Sequence, residues 1–445
     1  MPNTFAYMIL IAWPFIAMLL YIRLPIVQAT FWTIIGGYLF LPVRVEFDFP
    51  LIPPLDKESI PAISALIGCL FIKKINLKLL PKMGKERWII ILLIITPFFT
   101  MLNNQEVVNL HRGLTFHDAF SSIVNQYLML LPFIIGMQII KTYEDQLVLF
   151  KLLVISAFIY SIFVLFEVRM SPQLHTWIYG FFPHSWVQQS RFGGFRAIVF
   201  LGHGLLVSMY LAIALGVVSS LVKQKVKFYG VSPWVVLVYF FIVLLLNKTV
   251  SGFILGLLLF TAITLLSNLK IQKLSLLLIF VVILYPALTI LELFPHEYLI
   301  QMAMDLNSDR GQSLAFRFHH ENLLLEHAQQ KIFFGWGGWG RNLLDDSVKD
   351  GYWIGVFGMT GLVGFVLIFG LTFLAISRAS KSSLLLMNLN EHHLLASHAL
   401  IVSIIMIDQL PNTSFYAFAI FLIGALLGRA NNVRSEYQNH NALIL

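Results

Sequence analysis

Runs of apolar residues recur along almost the whole chain, separated by only short polar breaks. Crossing the hydrocarbon of a bilayer takes roughly 20 apolar residues in a helix. By that criterion the 445 residues contain about thirteen candidate spans, with about 12 and 14 as the limits. The candidates are residues 5–22, 25–43, 59–72, 88–102, 119–140, 146–168, 197–222, 233–246, 250–266, 274–291, 351–376, 393–407 and 414–427. We therefore expect an all-α polytopic membrane protein that forms a single transmembrane domain over residues 1–445.

The composition fits a membrane protein and removes several classes of function. Hydrophobic residues make up 58% of the chain and charged residues only 12%, far outside the range of soluble globular proteins. The one cysteine, Cys69, excludes a disulfide framework and a thiolate metal site. The net charge is +8, but the lysines lie in short loops where positive charge sets orientation, so we expect a lipid bilayer and no nucleic acid as partner. Residues 5–22 lack the flanks of a cleaved signal peptide and are expected to remain as a helix.

Basic residues in short loops orient the predicted spans, because cytoplasmic loops carry an excess of Lys and Arg. The clusters are Lys73, Lys74, Lys78, Lys82, Lys85 and Arg87 in one loop and Lys223, Lys225 and Lys227 in another. With both loops cytoplasmic, the two long polar segments, residues 169–196 and 293–350, fall on the outer face. Within the second, apolar residues recur at near-helical spacing, which predicts an amphipathic helix over residues 312–330 at the membrane surface.

These two outer segments concentrate cations, although the orientation rule would deplete them there. The residues concerned are Arg169, Arg191, Arg196, Arg310, Arg317 and Arg341, with His175, His184, His319, His320 and His327. Guanidinium groups pair with phosphate oxygens in bidentate geometry, so such a cluster suits a pyrophosphate carried on a lipid. The alternative is that individual arginines bind lipid headgroups or loop carboxylates.

Two further basic residues, Lys248 and His203, are candidates for the same site, and a glycine-rich loop accompanies Arg341. Lys248 interrupts two apolar runs, and a charge so close to hydrocarbon indicates a functional residue unless it snorkels to the interface. His203 follows Arg196 by seven residues, which on a helix would put both on one face, although a lone histidine is also common in a packed core. Residues 334–341 are rich in Gly and Trp and are expected to form a tight interfacial loop that presents Arg341.

The second outer segment also supplies candidates for proton transfer. Asp350 precedes a long apolar run, where a partly desolvated carboxylate could act as general base toward a sugar hydroxyl or simply cap a helix. His319 and His320 are the next candidates for that base. Arg317 and Glu321 are four residues apart, which indicates either a catalytic pair or a local ion pair on a helix.

Four motifs occur in order between Arg191 and Gly364. They are Arg196-Ala-Ile-Val-Phe-Leu-Gly-His203; Asn247-Lys248-Thr249; His327 through Phe334-Gly335-Trp336-Gly337; and Asp350-Gly351 followed after nine residues by Gly361-Leu-Val-Gly364. This set resembles the O-antigen ligase and O-antigen polymerase (Wzy-type) superfamily of bacterial envelope glycosyltransferases. At the second motif the family often has Ser-Arg-Thr, so Lys248 would replace an arginine. At the fourth, ligases have His-Asn, so Asp350 favours the polymerase branch.

The resemblance implies a GT-C-like helical fold in the bacterial inner membrane, with a long, partly helical periplasmic loop. It implies an inverting, metal-independent transfer of undecaprenyl-pyrophosphate-linked glycan to a sugar hydroxyl at the periplasmic face, without a cofactor. The alternative acceptor is lipid A core or protein, as in a ligase; a polysaccharide transporter or flippase is a weaker alternative. A chain-length regulator is a further expected partner.

Site residues follow from the cation pattern and the resemblance together. We expect Asp350, Arg317 and Glu321 to be catalytic, Arg191, Arg196, Lys248, Arg310 and Arg341 to bind pyrophosphate, and His203, His319 and His320 to be further candidates. No Asp-x-Asp motif lies in the outer segments, and only the adjacent Asp345 and Asp346 offer a weak metal alternative. Fixed cations would then supply the charge stabilisation that a metal provides elsewhere.

Overall fold

A computed structural model describes residues 1–49, 53–81, 84–108, 110–191, 193–227 and 230–444. Lys82 of the first basic loop lies outside the described residues. The remainder is predominantly helical. The α-helices are α1 (Thr4–Arg23), α2 (Ile26–Phe40), α3 (Ser59–Ile67), α4 (Lys85–Leu102), α5 (Phe116–Ile139), α6 (Tyr143–Met170), α7 (Leu174–Tyr179), α8 (Gly204–Lys223), α9 (Pro233–Leu246), α10 (Val250–Leu265), α11 (Asn268–Ile290), α12 (His296–Leu306), α13 (Ser308–Gln329), α14 (Tyr352–Ser383), α15 (Leu389–Asp408) and α16 (Ala417–Ile444).

Other regular structure in the described residues is slight. A π-helical turn, Gly68–Ile72, continues α3, and one two-stranded antiparallel sheet pairs β1 (Ser190–Arg191) with β2 (Gly194–Phe195). In the part of the chain that the structure describes, six helices are long and apolar enough to cross a membrane, namely α1, α5, α6, α8, α11 and α14, and four shorter apolar helices accompany them. The all-α membrane class is therefore confirmed, whereas the number of thirteen spans stays a prediction.

Helix α8 is the most enclosed of the six, since 94% of its apolar window is buried inside the protein. It packs against α10 along small residues: a Cβ added at Gly252 would overlap the Ser208 hydroxyl, and one at Gly256 would lie 3.4 Å from Ala212 Cα. Small residues allow the backbones of two membrane helices to approach closely. The predicted span 197–222 is wrong at its beginning, because helix α8 starts only at Gly204.

Beyond α11 the chain forms an antiparallel pair of helices, α12 and α13, and α13 packs on α14. The predicted amphipathic helix over residues 312–330 is present as the main part of α13. Leu324, Leu325 and Ala328 of this helix are buried against protein, and the location of the helix at the membrane surface stays a prediction.

Candidate functional site

Residues 197–201 form a buried, non-helical segment between β2 and α8. Their side chains are between 0 and 4% exposed. Glu167, near the end of α6, holds this segment: its Oε2 accepts hydrogen bonds from the backbone N–H of Ile198 at 2.9 Å and of Val199 at 2.8 Å. Its Oε1 accepts a third from the N–H of Leu174 at 3.0 Å. Buried backbone polar groups need such partners, so this carboxylate takes the place of a helical hydrogen-bond ladder.

Three more side chains complete the support of this segment. Asn247, at the end of α9, accepts a hydrogen bond from the N–H of Ala197 at 3.1 Å. The Tyr160 hydroxyl accepts one from the N–H of Phe200 at 3.1 Å, and Lys57 donates to the Phe200 carbonyl at 3.2 Å. Residues far apart in sequence therefore fix the segment, and with it the positions of Arg196 and His203 at its two ends.

The Arg196 side chain is buried at the beginning of α8. Its Nε donates a hydrogen bond to Gln189 Oε1 at 3.1 Å, and its Nη2 donates one to the Gln188 carbonyl at 3.2 Å. A Cβ at Gly204 would overlap this arginine, so the glycine makes room for it. Gly194 does the same for Lys248, whose ammonium group lies over the glycine backbone. Both cations thus occupy space that a side chain at the neighbouring glycine position would fill.

Arg191, Arg196, Arg310 and Arg317 come together from the two outer segments, and we call them the basic cluster. Burial lowers the pKa of Arg196 to about 10, and the charges of Arg191, Arg317 and Arg310 act in the same direction. Arginines close enough to repel one another in this way create a positive potential that attracts an anion. The structure therefore brings together four of the predicted cations, with Lys248 beside the β1–β2 hairpin that carries Arg191.

His203 is the N-cap of α8, and the prediction that it shares a helix face with Arg196 is wrong, because the intervening residues are not helical. Its Nδ1 accepts a hydrogen bond from the N–H of Leu205 at 3.1 Å, which assigns the ring proton to Nε2. Burial, followed by the charge of Arg196, lowers the pKa of His203 to about 3. The ring is thus neutral at physiological pH. Its Nε2–H can donate a hydrogen bond, whereas Nδ1 already accepts one from Leu205.

A cavity of about 180 Å³ lies between α13, the start of α14 and the end of α15. Its polar lining includes all three predicted catalytic residues, Arg317, Glu321 and Asp350. Its apolar lining includes the rings of Tyr285, Phe294 and Phe318. A mostly apolar pocket with a few convergent polar groups is the usual form of a small-ligand site.

Arg317 and Asp350 form an ion pair at the mouth of this cavity. Arg317 Nε lies 3.4 Å from Asp350 Oδ2, and both side chains are about one-third exposed. Arg317 Nη1 also donates to the Pro411 carbonyl at 3.0 Å. The alternative that Asp350 caps a helix is wrong, because the N-cap of α14 is Gly351. Arg317 belongs to both the basic cluster and the cavity, so it connects the two.

Glu321 lies deeper in the cavity and does not pair with Arg317. Its carboxylate accepts hydrogen bonds from the Tyr285 hydroxyl at 2.6 Å and from Trp353 Nε1 at 3.1 Å. Burial raises the pKa of Glu321 to about 7, although these two hydrogen bonds lower it. His296 Nε2 is 4.0 Å from the same carboxylate. A carboxyl that gains and loses its proton near neutral pH is suited to general acid or base catalysis.

The titration of Glu321 can be tested without a substrate. Because its pKa is raised, we expect the carboxyl to be protonated below about pH 7 and ionised above it. Infrared difference spectra of the protein in lipid nanodiscs should show a protonated-carboxyl band that disappears as the pH rises through 7. Burial also raises the pKa of Glu58 to about 7, so the part of the band that belongs to Glu321 is the part lost in Glu321→Gln and retained in Glu326→Gln, which alters an exposed glutamate on the same helix. A band of the same intensity in Glu321→Gln as in the unaltered protein would contradict the assignment.

Arg341 does not join the basic cluster, which corrects the prediction that it binds pyrophosphate. Its side chain is only 1% exposed. Nη1 donates to the carbonyls of Glu106 and Arg112, both at 2.9 Å, and Nε donates to the Trp336 carbonyl at 3.3 Å. The glycine-rich segment therefore turns this arginine inward, where it ties the chain between α4 and α5 to the chain after α13.

The remaining candidates have other surroundings. The His320 ring packs against Phe316 at 4.2 Å, His319 is exposed, and neither is among the residues that line the cavity. Asp345 and Asp346 are exposed. Over the described ranges, no group of three or more His, Cys, Asp or Glu residues could hold a metal ion. The positions of these residues do not test the prediction of metal-independent chemistry.

No protein-family model matches this chain, and no curated protein matches it. Two partners of Glu321, Tyr285 and Trp353, gave no sequence signal, because aromatic residues are common in apolar runs. Glu167 did give one, since an acidic residue inside a predicted span indicates a functional or structural polar contact.

Proposed function

We propose that this chain is a membrane glycosyltransferase that polymerises O-antigen or exopolysaccharide repeat units. The donor would be an undecaprenyl-pyrophosphate-linked glycan and the acceptor a sugar hydroxyl of another repeat unit, at the periplasmic face. The observation that carries the proposal is the position of Arg317, whose charge acts on the buried Arg196 of the basic cluster and whose side chain lines the cavity that contains Glu321. Such an arrangement suits an anionic leaving group beside a hydroxyl nucleophile.

The proposed step is a single inverting displacement. Glu321 accepts the proton of the acceptor hydroxyl, whose oxygen attacks the anomeric carbon of the donor sugar as the bond to pyrophosphate breaks. The electron pair of that bond leaves on the lipid pyrophosphate, where Arg196, Arg310 and Arg317 stabilise the developing charge. Fixed cations in a partly dry site can supply this stabilisation without a metal ion. Asp350 holds the Arg317 side chain toward the cavity.

The proposal is tested with purified protein in nanodiscs and lipid-pyrophosphate carrying one repeat unit, in excess chelator. We expect longer glycan chains and free lipid pyrophosphate in equal amounts, measured by mass spectrometry. Arg196→Lys keeps a charge but loses the planar fork, so kcat should fall on the order of 10²-fold. Arg169→Met, at an exposed arginine outside the cluster, is the matched control and should leave turnover unchanged.

Different products would redirect or refute the proposal. Transfer only to lipid A core or to a protein hydroxyl would assign a ligase with the same site chemistry. Turnover restored only by magnesium or manganese would point to metal chemistry at Asp345 and Asp346. Movement of intact lipid-linked glycan across the membrane, without formation of a glycosidic bond, would show a transporter and refute the proposed function.

A further inference from the structure

Helix α12 exposes a continuous apolar stripe. Tyr298, Met302 and Leu306 are 66, 46 and 83% exposed, and their spacing of four residues puts them on one side of the helix. Among the residues of α12, none is buried. Glu297, Gln301 and Asp305 recur at the same spacing and form an adjacent polar stripe. A helix with these two stripes has the form of one that lies at a boundary between water and an apolar phase.

The packing of α12 on α13 fixes which side faces outward. A Cβ at Gly311 of α13 would overlap Met304, so the two helices approach most closely at this glycine. The His296 ring contacts the Phe318 ring with a centroid distance of 4.4 Å. Met304 and His296 lie on the side of α12 opposite the stripe of Tyr298, Met302 and Leu306, so α13 cannot cover that stripe.

Exposed apolar residues also occur on α11 and in the short connection that leads from it to α12. Leu277 and Phe280 of α11 are exposed, and so are Leu291 and Leu293 in the short connection to α12. The connection from Ile290 to His296 reaches at most about 20 Å, even when fully extended. The stripe therefore lies near the end of a helix that is long and apolar enough to cross a membrane.

We propose that α12 binds the lipid bilayer itself and lies in the headgroup region at the end of α11. Tyr298, Met302 and Leu306 enter the boundary of the acyl chains, while the polar stripe faces water. This inference rests on α11 as a spanning helix and does not depend on any catalytic activity. Because α13 packs on α12 and carries Arg310, Arg317 and Glu321, the lipid surface would set the position of those residues above the membrane.

The proposal is tested by comparing two neighbouring positions in nanodiscs. In a Cys69→Ser background, Met302→Cys and Gln301→Cys are each labelled with an environment-sensitive fluorophore. Nitroxide groups placed near the headgroup end of the lipid chains should quench the probe at 302 about twofold or more relative to the probe at 301. Aqueous iodide should quench the two probes in the reverse order. Equal quenching by iodide at both positions would overturn the proposal.

Two further measurements separate lipid from protein as the occupant. A probe at 302 that is shielded from both nitroxide lipid and iodide would show that protein, such as a second copy of the chain, covers the stripe, and would also overturn the proposal. Adding Leu306→Glu to the Met302→Cys protein should weaken nitroxide quenching and strengthen iodide quenching. Adding Gln301→Glu on the polar stripe is the matched control and should change neither. No effect of Leu306→Glu would count against lipid contact.

Discussion

Glu321→Gln is expected to abolish glycan transfer while leaving the protein folded and able to bind its donor. Glutamine preserves the size of the side chain: its amide oxygen can still accept the hydrogen bond from Trp353 Nε1, and its amide N–H can donate to the Tyr285 hydroxyl oxygen, but it cannot take a proton from the acceptor hydroxyl. Removal of a general base typically costs about 10² to 10⁴ in rate. The rate of a single turnover and the affinity for lipid-linked donor should be measured on the same preparation.

Two companion variants make this result interpretable. Glu326→Gln carries the same chemical change at an exposed position of α13 and should turn over normally. Asp350→Asn removes the ionic partner of Arg317, so its effect should be smaller and should fall mainly on donor binding. The opposite outcome, in which Asp350→Asn is inactive and Glu321→Gln nearly normal, would return the role of base to Asp350.

Arg341→Met is expected to destabilise the protein rather than to impair catalysis directly. The change leaves the carbonyls of Glu106, Arg112 and Trp336 without their donor inside the protein. The bond to the Trp336 carbonyl is buried, and the other two bonds are partly buried. A buried acceptor left unpaired costs about 1–3 kcal/mol, so we expect a loss of stability within this range. Thermal unfolding in detergent should show a lower midpoint for Arg341→Met than for the exposed control Arg169→Met.

Donor binding distinguishes this structural role from the one that the sequence predicted for Arg341. If the guanidinium held pyrophosphate, the variant would unfold normally and lose donor affinity. If it only ties loops together, the fraction that remains folded should bind the donor with unchanged affinity. Retained stability together with lost affinity would therefore contradict the buried geometry.

Hydropathy located most of the helices but could not detect the break before α8. Residues 197–201 are as apolar as a spanning helix, so a count of apolar residues continues straight through them. The hydrogen bonds that hold them out of a helix come from Glu167, Asn247 and Tyr160, which are distant in sequence. Local pattern carries no information about such partners.

The sequence predicted which residues form the site better than it predicted which of them contact one another. Arg317, Glu321 and Asp350 do line one cavity, but a spacing of four residues suggested that Arg317 pairs with Glu321. The ion pair instead joins Arg317 to Asp350, whereas the buried Glu321 accepts a hydrogen bond from Trp353. Tertiary packing outweighed an ion pair between residues four apart on a helix, which contributes only a few tenths of a kcal/mol.

The side-chain support of residues 197–201 also predicts how related sequences diverge. Most of its bonds reach main-chain N–H groups, which every residue except proline provides, so burial and not hydrogen bonding limits the choice of side chain in the segment. The length of the segment is fixed more tightly, because one inserted residue would move these N–H groups away from Glu167 and Asn247. Homologues should therefore exchange only apolar residues of similar size in this segment, avoid proline and gaps within it, and change Glu167 and Asn247 rarely and together.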